Sequence, residues 1–187
     1  MIALAEDGLP RCEWALSTPE YLAYHDEEWG REIRDDRGMY ERMTLESFQS
    51  GLSWITILRK RPAFREAFAG FDPEVVASYG QADFDRLMAD AGIVRNRAKI
   101  NAAIANAGVM LALGDGALTD LLWSFAPAGP RPAPRTLAEV PATSPESVAM
   151  SKTLKKNGFV FLGPTTCYAL MQATGMVNDH LSDCFAR

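Results

Sequence analysis

The chain has 187 residues, 48% of them apolar and 23% charged, and a net charge of −5 from 19 basic and 24 acidic side chains. This composition excludes wholesale disorder, and the length suits one domain or two small lobes sharing a core. No run of about 18 apolar residues is available for a transmembrane helix, the start has no basic segment of a secretory signal, and three cysteines close at most one disulfide, so a reduced intracellular protein is expected.

In chain order, Ser17-Thr18-Pro19-Glu20 reads as a helix start, with a capping hydroxyl, proline in the first turn and an acid three residues after Ser17. Tyr21, Leu22, Tyr24, His25 and Trp29 recur at helical spacing until Gly30 ends the pattern. Met39, Met43, Phe48 and Leu52 continue the rhythm to the Gly51-Leu52-Ser53 turn, and Trp54 to Leu58 lies inside a further helix-like stretch. Asp72-Pro73 and Asp83 read as two more starts, Asp90-Ala91-Gly92 as a break, and Ile93 to Leu113 as an alanine-rich helix. Six of the eleven prolines fall between Pro127 and Pro145, which predicts an irregular connection. Ser144-Pro145-Glu146 opens a helix closed by Gly158, and Pro164 opens another closed by Gly175. Alternation of period two is convincing nowhere, so the expected fold class is all-α.

Basic residues cluster despite the acidic total. Arg59, Lys60, Arg61 and Arg65 form one group, Arg95, Arg97 and Lys99 a second, and Lys152, Lys155 and Lys156 a third. Each reads either as a solvated helix face or as part of a phosphate-contacting surface.

Cysteine and histidine are scarce: Cys12, His25, Cys167, His180 and Cys184. His180 and Cys184 are four apart and on a helix would share one face. With Cys12 and His25 they make a complete tetrahedral set for a structural zinc ion tying the two chain ends together. The plain alternative is four unrelated core residues, which is how Cys167 reads.

Asn157-Gly158-Phe159-Val160-Phe161-Leu162-Gly163-Pro164-Thr165 joins two predicted helices, with Lys155 and Lys156 just before it. Such a turn either holds a DNA phosphate on backbone N–H groups at a helix start or is a hydrophobic plug in a plain helical hairpin. Three of the four tryptophans fall in the first 54 residues, beside Tyr21 and Tyr24. Glu46 sits among Met43, Leu45 and Phe48; it points either to solvent or into an aromatic box suited to a flat, cationic ligand.

The segments RCEW (11–14), YLAYHDEEWG (21–30), LESFQSGLSWITILRKR (45–61), AGIVRNRAKI (91–100) and GFVFLGPTTCYALMQATGMVNDH (158–180) together resemble the type I, constitutive bacterial DNA-3-methyladenine glycosylases. The likeness runs from about residue 10 to residue 185, leaving residues 1–9 as a flexible extension and 10–187 as a single domain of two helical lobes with the proline-rich connection at 126–145.

The resemblance implies a helix-hairpin-helix glycosylase fold and a structural zinc on Cys12, His25, His180 and Cys184. It also implies a base pocket of Trp14, Tyr21, Tyr24, Glu46 and Trp54, in which Glu46 is the catalytic carboxylate. The hairpin residues Gly158, Gly163 and Thr165, with Lys155 and Lys156, would contact double-stranded alkylated DNA, and Leu52 is the candidate wedge. Neither a membrane nor a protein partner is implied, so a cytoplasmic bacterial monomer is expected. Where many helix-hairpin-helix glycosylases carry an aspartate, this chain has Asn178, and no lysine stands at Pro164-Thr165 for a Schiff base. Both fit a monofunctional hydrolase without strand cleavage. Glu46 is the first choice to orient the attacking water and Asn178 the second. The competing readings are a non-catalytic zinc-stabilised DNA-binding module and a hydrolase with catalytic zinc, the latter disfavoured by four protein ligands.

Overall fold

The computed structural model describes residues 1–129 and 131–187. Among them the chain forms nine α-helices: α1 (Pro19–Glu27), α2 (Asp36–Gln49), α3 (Trp54–Ala67), α4 (Pro73–Ala77), α5 (Gln81–Ala89), α6 (Arg97–Leu113), α7 (Ala117–Trp123), α8 (Pro145–Lys156) and α9 (Pro164–Ala173). The described β structure is one antiparallel ribbon of β1 (Ile2–Leu4) and β2 (Pro10–Cys12), pairing Ile2 with Cys12 and Leu4 with Pro10.

Residues 2–4 of the expected extension form the first strand of that ribbon. The Gly8 N–H donates to the Ala5 carbonyl at 3.0 Å and closes the turn. Arg11 reaches back from β2 to grip Asp7 with two bonds of 2.7 Å. The extension is therefore pinned to the strand that delivers Cys12.

Helix starts follow local chemistry, sometimes a residue or two away from the predicted place. Thr18, rather than Ser17, caps α1: its hydroxyl accepts from the Tyr21 N–H at 3.2 Å, ahead of Pro19. Asp83 is the third residue of α5 rather than its start; its carboxylate accepts from the Gly80 N–H at 3.2 Å. The alanine-rich helix begins at Arg97, capped by Asn96, not at Ile93. Among the described α-helices only α7 has no counterpart in the expected elements. Seven residues are two turns, too short for a periodic pattern to register.

α2 is the central element. Its buried Met39, Tyr40, Met43, Leu45 and Phe48 pack into a core shared with α3, α6, α8 and α9. Each such side chain removed from water contributes about 1.5–3 kcal/mol. Tyr40 is wholly buried because its hydroxyl donates to the Ala103 carbonyl of α6 at 2.9 Å.

The end of α9 is placed by Gly175. Its φ is +77°, and a Cβ there would stand 2.9 Å from the Gly30 carbonyl oxygen and 3.0 Å from the Arg31 carbon. Glycine alone permits that approach, and it sets residues 176–184 beside the segment that follows α1. No single described helix is long and apolar enough to cross a membrane; α6 and α7 pass only as a pair bent by 98°.

Candidate active site and metal centre

A cavity of about 300 Å³ opens between α1, the start of α3 and the facing helices α2 and α9. Trp14, Tyr21, Tyr24, Glu46 and Trp54, the five residues expected in a base pocket, all line it. The sequence reading missed four further lining residues, Trp29, Gln49, Ala169 and Gln172. Trp29 shared the helical stripe with Tyr21 and His25 and was legible there; Ala169 and Gln172 carried no local signal.

The walls are held by specific bonds. The Tyr21 hydroxyl accepts the Ile55 N–H at 2.9 Å. This satisfies an orphan donor at the start of α3, whose cap residue Ser53 bonds the Thr56 hydroxyl rather than a backbone N–H, and it fixes the turn carrying Trp54. Tyr24 and Trp54 rings lie 5.4 Å apart, tilted by 46°. The Tyr24 hydroxyl accepts from Arg42 at 3.4 Å, and Arg42 pairs with Glu28, which Arg61 grips at 2.7 Å. Burial pushes the Tyr24 phenol above its usual range and keeps it protonated.

Glu46 faces inward, which settles the choice between solvent and pocket. It is 5% exposed and accepts no hydrogen bond among the described residues. Burial pushes its carboxyl up to about 7, with the Arg42 cation pulling the other way. The Trp54 indole N–H is likewise buried without a partner. An aromatic cavity thus holds a lone acid close to half-ionised at neutral pH and an unspent donor, a setting that favours a cationic guest.

Cys12, His25, His180 and Cys184 converge, with one donor atom from each within 4.8 Å of the others. His25 Nε2 lies 3.2 Å from His180 Nδ1, and Cys184 Sγ lies 3.4 Å and 3.6 Å from these two nitrogens. These are the edges of a tetrahedron around an ion bound at about 2.0–2.3 Å, so the donors fit a metal. Their outer contacts select the right atoms. Asp26 holds His25 Nδ1 at 2.7 Å, leaving Nε2 as the ligand atom, and the Trp29 carbonyl lies 3.2 Å from His180 Nε2, leaving Nδ1. Arg11 fixes Asp26 in turn, at 2.8 Å. Desolvation lowers both imidazoles toward the neutral, ligating form, His180 to about 4. Cys167 is remote from this cluster, buried on α9 as core.

The two sites share a wall. Trp14 packs edge-on against His25 at 5.2 Å, and Trp29 against His180 at 4.6 Å, while both indoles also line the cavity.

The α8–α9 hairpin projects from the same side of the core as the 50–53 turn, with Ser50 and Phe161 bordering one shallow surface pocket. Gly158 takes φ +96°. Phe159 and Leu162 are buried as plugs while Val160 and Phe161 are exposed. Asn106 bolts the turn to α6, accepting from the Val160 N–H at 2.9 Å and donating to its carbonyl at 3.1 Å. Gly163 has an ordinary φ of −77°, and a Cβ there would meet nothing, so its bareness leaves the start of α9 open. Thr165 follows in the first turn, exposed, as are Lys155 and Lys156.

The basic run 59–65 is paired within the chain, whereas Arg95, Arg97 and Lys152 are exposed. Arg59, Arg61 and Arg65 pair with Glu20, Glu28 and Glu41, and Lys60 donates to the Ala91 and Gly92 carbonyls. Lys99 is buried and caps the end of α2, donating to the Phe48 and Ser50 carbonyls at 2.8 and 2.6 Å. Leu52 is 38% exposed on a turn closed by Gln49 Nε2 donating to its carbonyl at 2.6 Å. Asn178 lies outside the aromatic cavity; its Oδ1 accepts the His180 N–H at 3.1 Å, so it does not share a chamber with Glu46.

An all-helical scaffold with a projecting hairpin and an aromatic, acid-bearing cavity defines a glycosylase of the helix-hairpin-helix class. The methyladenine glycosylase pattern matches residues 14–187, and this chain belongs to that family. It is 45% identical over 179 residues to DNA-3-methyladenine glycosylase 1 of Escherichia coli K12, covering 94% of this chain and 96% of that one. A crystal structure of 3-methyladenine DNA glycosylase I superposes with a TM-score of 0.89 at 45% identity, covering 94% of this chain and 98% of that chain. The Staphylococcus aureus enzyme, whose structure addresses 3-methyladenine recognition, superposes at 0.87 with 36% identity, covering 94% and 95% of the two chains.

Proposed function

We propose that this protein excises N3-methyladenine from alkylated double-stranded DNA by hydrolysing the N-glycosidic bond. The observation that carries this is Glu46: a buried carboxyl without a protein partner on the wall of an aromatic cavity. Methylation at N3 makes the adenine cationic, so the base is already a good leaving group and little acid catalysis is needed. The binding site must extrude the nucleotide, at a few kcal/mol, and hold it. Tyr24 and Trp54, with Trp14 and Tyr21 beside them, supply the faces on which the base stacks. Ionised Glu46 accepts a hydrogen bond from its edge and favours the positive charge. Glu46 is the first choice for orienting the attacking water, and unmethylated adenine is turned away because it is neutral and its bond is stronger.

Residues 10–187 act as one domain of two helical lobes. The hairpin, with Gly158, Gly163 and Thr165 at a helix start and Lys155 and Lys156 exposed before it, grips a phosphate. Leu52, exposed on its closed turn near that hairpin, is the group that enters the duplex. Cys12, His25, His180 and Cys184 would hold one zinc ion. With four protein ligands such an ion supplies folding energy and leaves no position for activated water. The relatives' bacterial origin supports a cytoplasmic protein.

Incubating the protein with methylated duplex DNA tests the reading. Free 3-methyladenine with an uncut abasic strand is the expected product. Tight binding with no released base would favour the non-catalytic DNA-binding module.

A further inference from the structure

Glu46 accepts one hydrogen bond from the base edge and favours positive charge, but the exocyclic amino group of an adenine carries two hydrogens. The wall that α9 contributes to the cavity carries a second acceptor. Gln172, on α9, lines the cavity and is half-buried. Its Nε2 donates to Asp179 Oδ2 at 2.9 Å. Asp179 is 5% exposed, and the same oxygen accepts the Tyr168 hydroxyl at 2.6 Å. The Tyr168 oxygen accepts in turn from Arg131 Nη1 at 2.9 Å.

A carboxylate only accepts hydrogen bonds, so the amide of Gln172 is held nitrogen-first toward Asp179. Its carbonyl oxygen, at the other end of the planar group, accepts nothing from the described residues and is left to the cavity. We propose that Gln172 is a specificity-determining residue: its amide oxygen, aimed by Asp179, accepts from the exocyclic amino group of the base and opposes a purine carrying a carbonyl there. An amino group completes the bond. A carbonyl oxygen sets acceptor against acceptor in a site with little water, and both stay unpaired. Asp179 is a positioning residue. It immediately precedes His180, so the metal segment that ties down the chain end also sets the aim of the pocket wall.

The assignment rests on reading the cavity as the methyladenine site. The test is single-turnover release of 3-methyladenine and 3-methylguanine from the same methylated duplex, with melting temperature and metal content recorded for each protein. Gln172→Leu is expected to slow 3-methyladenine release about tenfold, the worth of one hydrogen bond, while 3-methylguanine release holds or rises. The adenine-to-guanine ratio then falls about tenfold. Asp179→Ala should lower the ratio likewise. Asp179→Asn, whose amide oxygen can still accept both bonds, should restore it to within about twofold of the parent. A purely structural role would slow both releases together, so an unchanged ratio in Gln172→Leu overturns the assignment alone; should Asp179→Ala fail to fold, Gln172→Leu still decides. If the parent protein releases no 3-methyladenine, the pocket reading falls and this assignment with it.

Discussion

The metal cluster and the aromatic cavity are neighbours built from similar materials, and they treat polar atoms in opposite ways. Both lie among tryptophan rings, and Trp14 and Trp29 belong to each. Around the cluster every donor is committed: two imidazoles are oriented by Asp26 and the Trp29 carbonyl, and Cys12 Sγ accepts the Leu181 N–H at 3.4 Å. In the cavity Glu46 and the Trp54 N–H have no hydrogen-bond partner among the described residues. Satisfied buried groups rigidify a structure; unsatisfied ones cost folding energy that a ligand can return. The closed site is the device for stability and the open one the device for recognition.

Breaking the closed site should have the largest effect on the fold. Cys184→Ala removes one donor of four and should cost about 4 kcal/mol, roughly a 10 °C fall in melting temperature, with metal content falling in parallel. Activity per folded molecule should fall much less. A variant that keeps its melting temperature and loses all turnover would contradict the division of labour.

The open site should behave in reverse. Glu46→Gln should slow excision about thirtyfold, about 2 kcal/mol for a hydrogen bond to a charged group, and should not destabilise the protein. The sign follows from the carboxyl standing at about 7 in the folded chain against 4.5 ordinarily. Between those values the unfolded chain releases a proton that the folded one keeps, so stability falls as pH rises through this window, by up to about 3 kcal/mol. The parent should therefore be less stable at pH 8 than Glu46→Gln, and the two should converge near pH 4. If the ionised form binds the cationic base, excision should climb as pH rises through about 7, and that limb should vanish in Glu46→Gln. Titrating melting temperature and single-turnover rate on both proteins checks each half.

Smaller effects separate gripping DNA from holding the base. Asn106→Ala frees the hairpin turn from α6 and removes two hydrogen bonds. Affinity for methylated duplex should weaken about tenfold, while binding of free 3-methyladenine, followed by tryptophan fluorescence, stays put. Replacing Lys155 and Lys156 by Gln should lower the slope of log affinity against log salt by about 1 for each phosphate no longer neutralised, with no change in base preference.

Much of this architecture was legible in local sequence. The pairs of Pro and Gly around α8 and α9, the Asp72 cap and the helical stripe from Tyr21 to Trp29 all act within about one turn of themselves, so nearest neighbours suffice to read them. The Cys and His set was nameable as a candidate, since those residues are few, though spacing alone left it open against four unrelated core residues. What stayed hidden locally was the β1–β2 ribbon, in which Arg11 grips Asp7 and Asp26, and the acidic partners of the basic run from Arg59 to Arg65, which are Glu20, Glu28 and Glu41.

Sequence alone thus determined the helices, their breaks, the donor set and the family likeness, because each is written in residue type and short spacing. Tertiary structure decided that Glu46 turns inward, that two tryptophans serve both sites, and that Gln172 on α9 lines the same cavity as Glu46 on α2. Those facts bring together residues more than a hundred positions apart, and only the packing of α2 against α9 determines which of their faces meet.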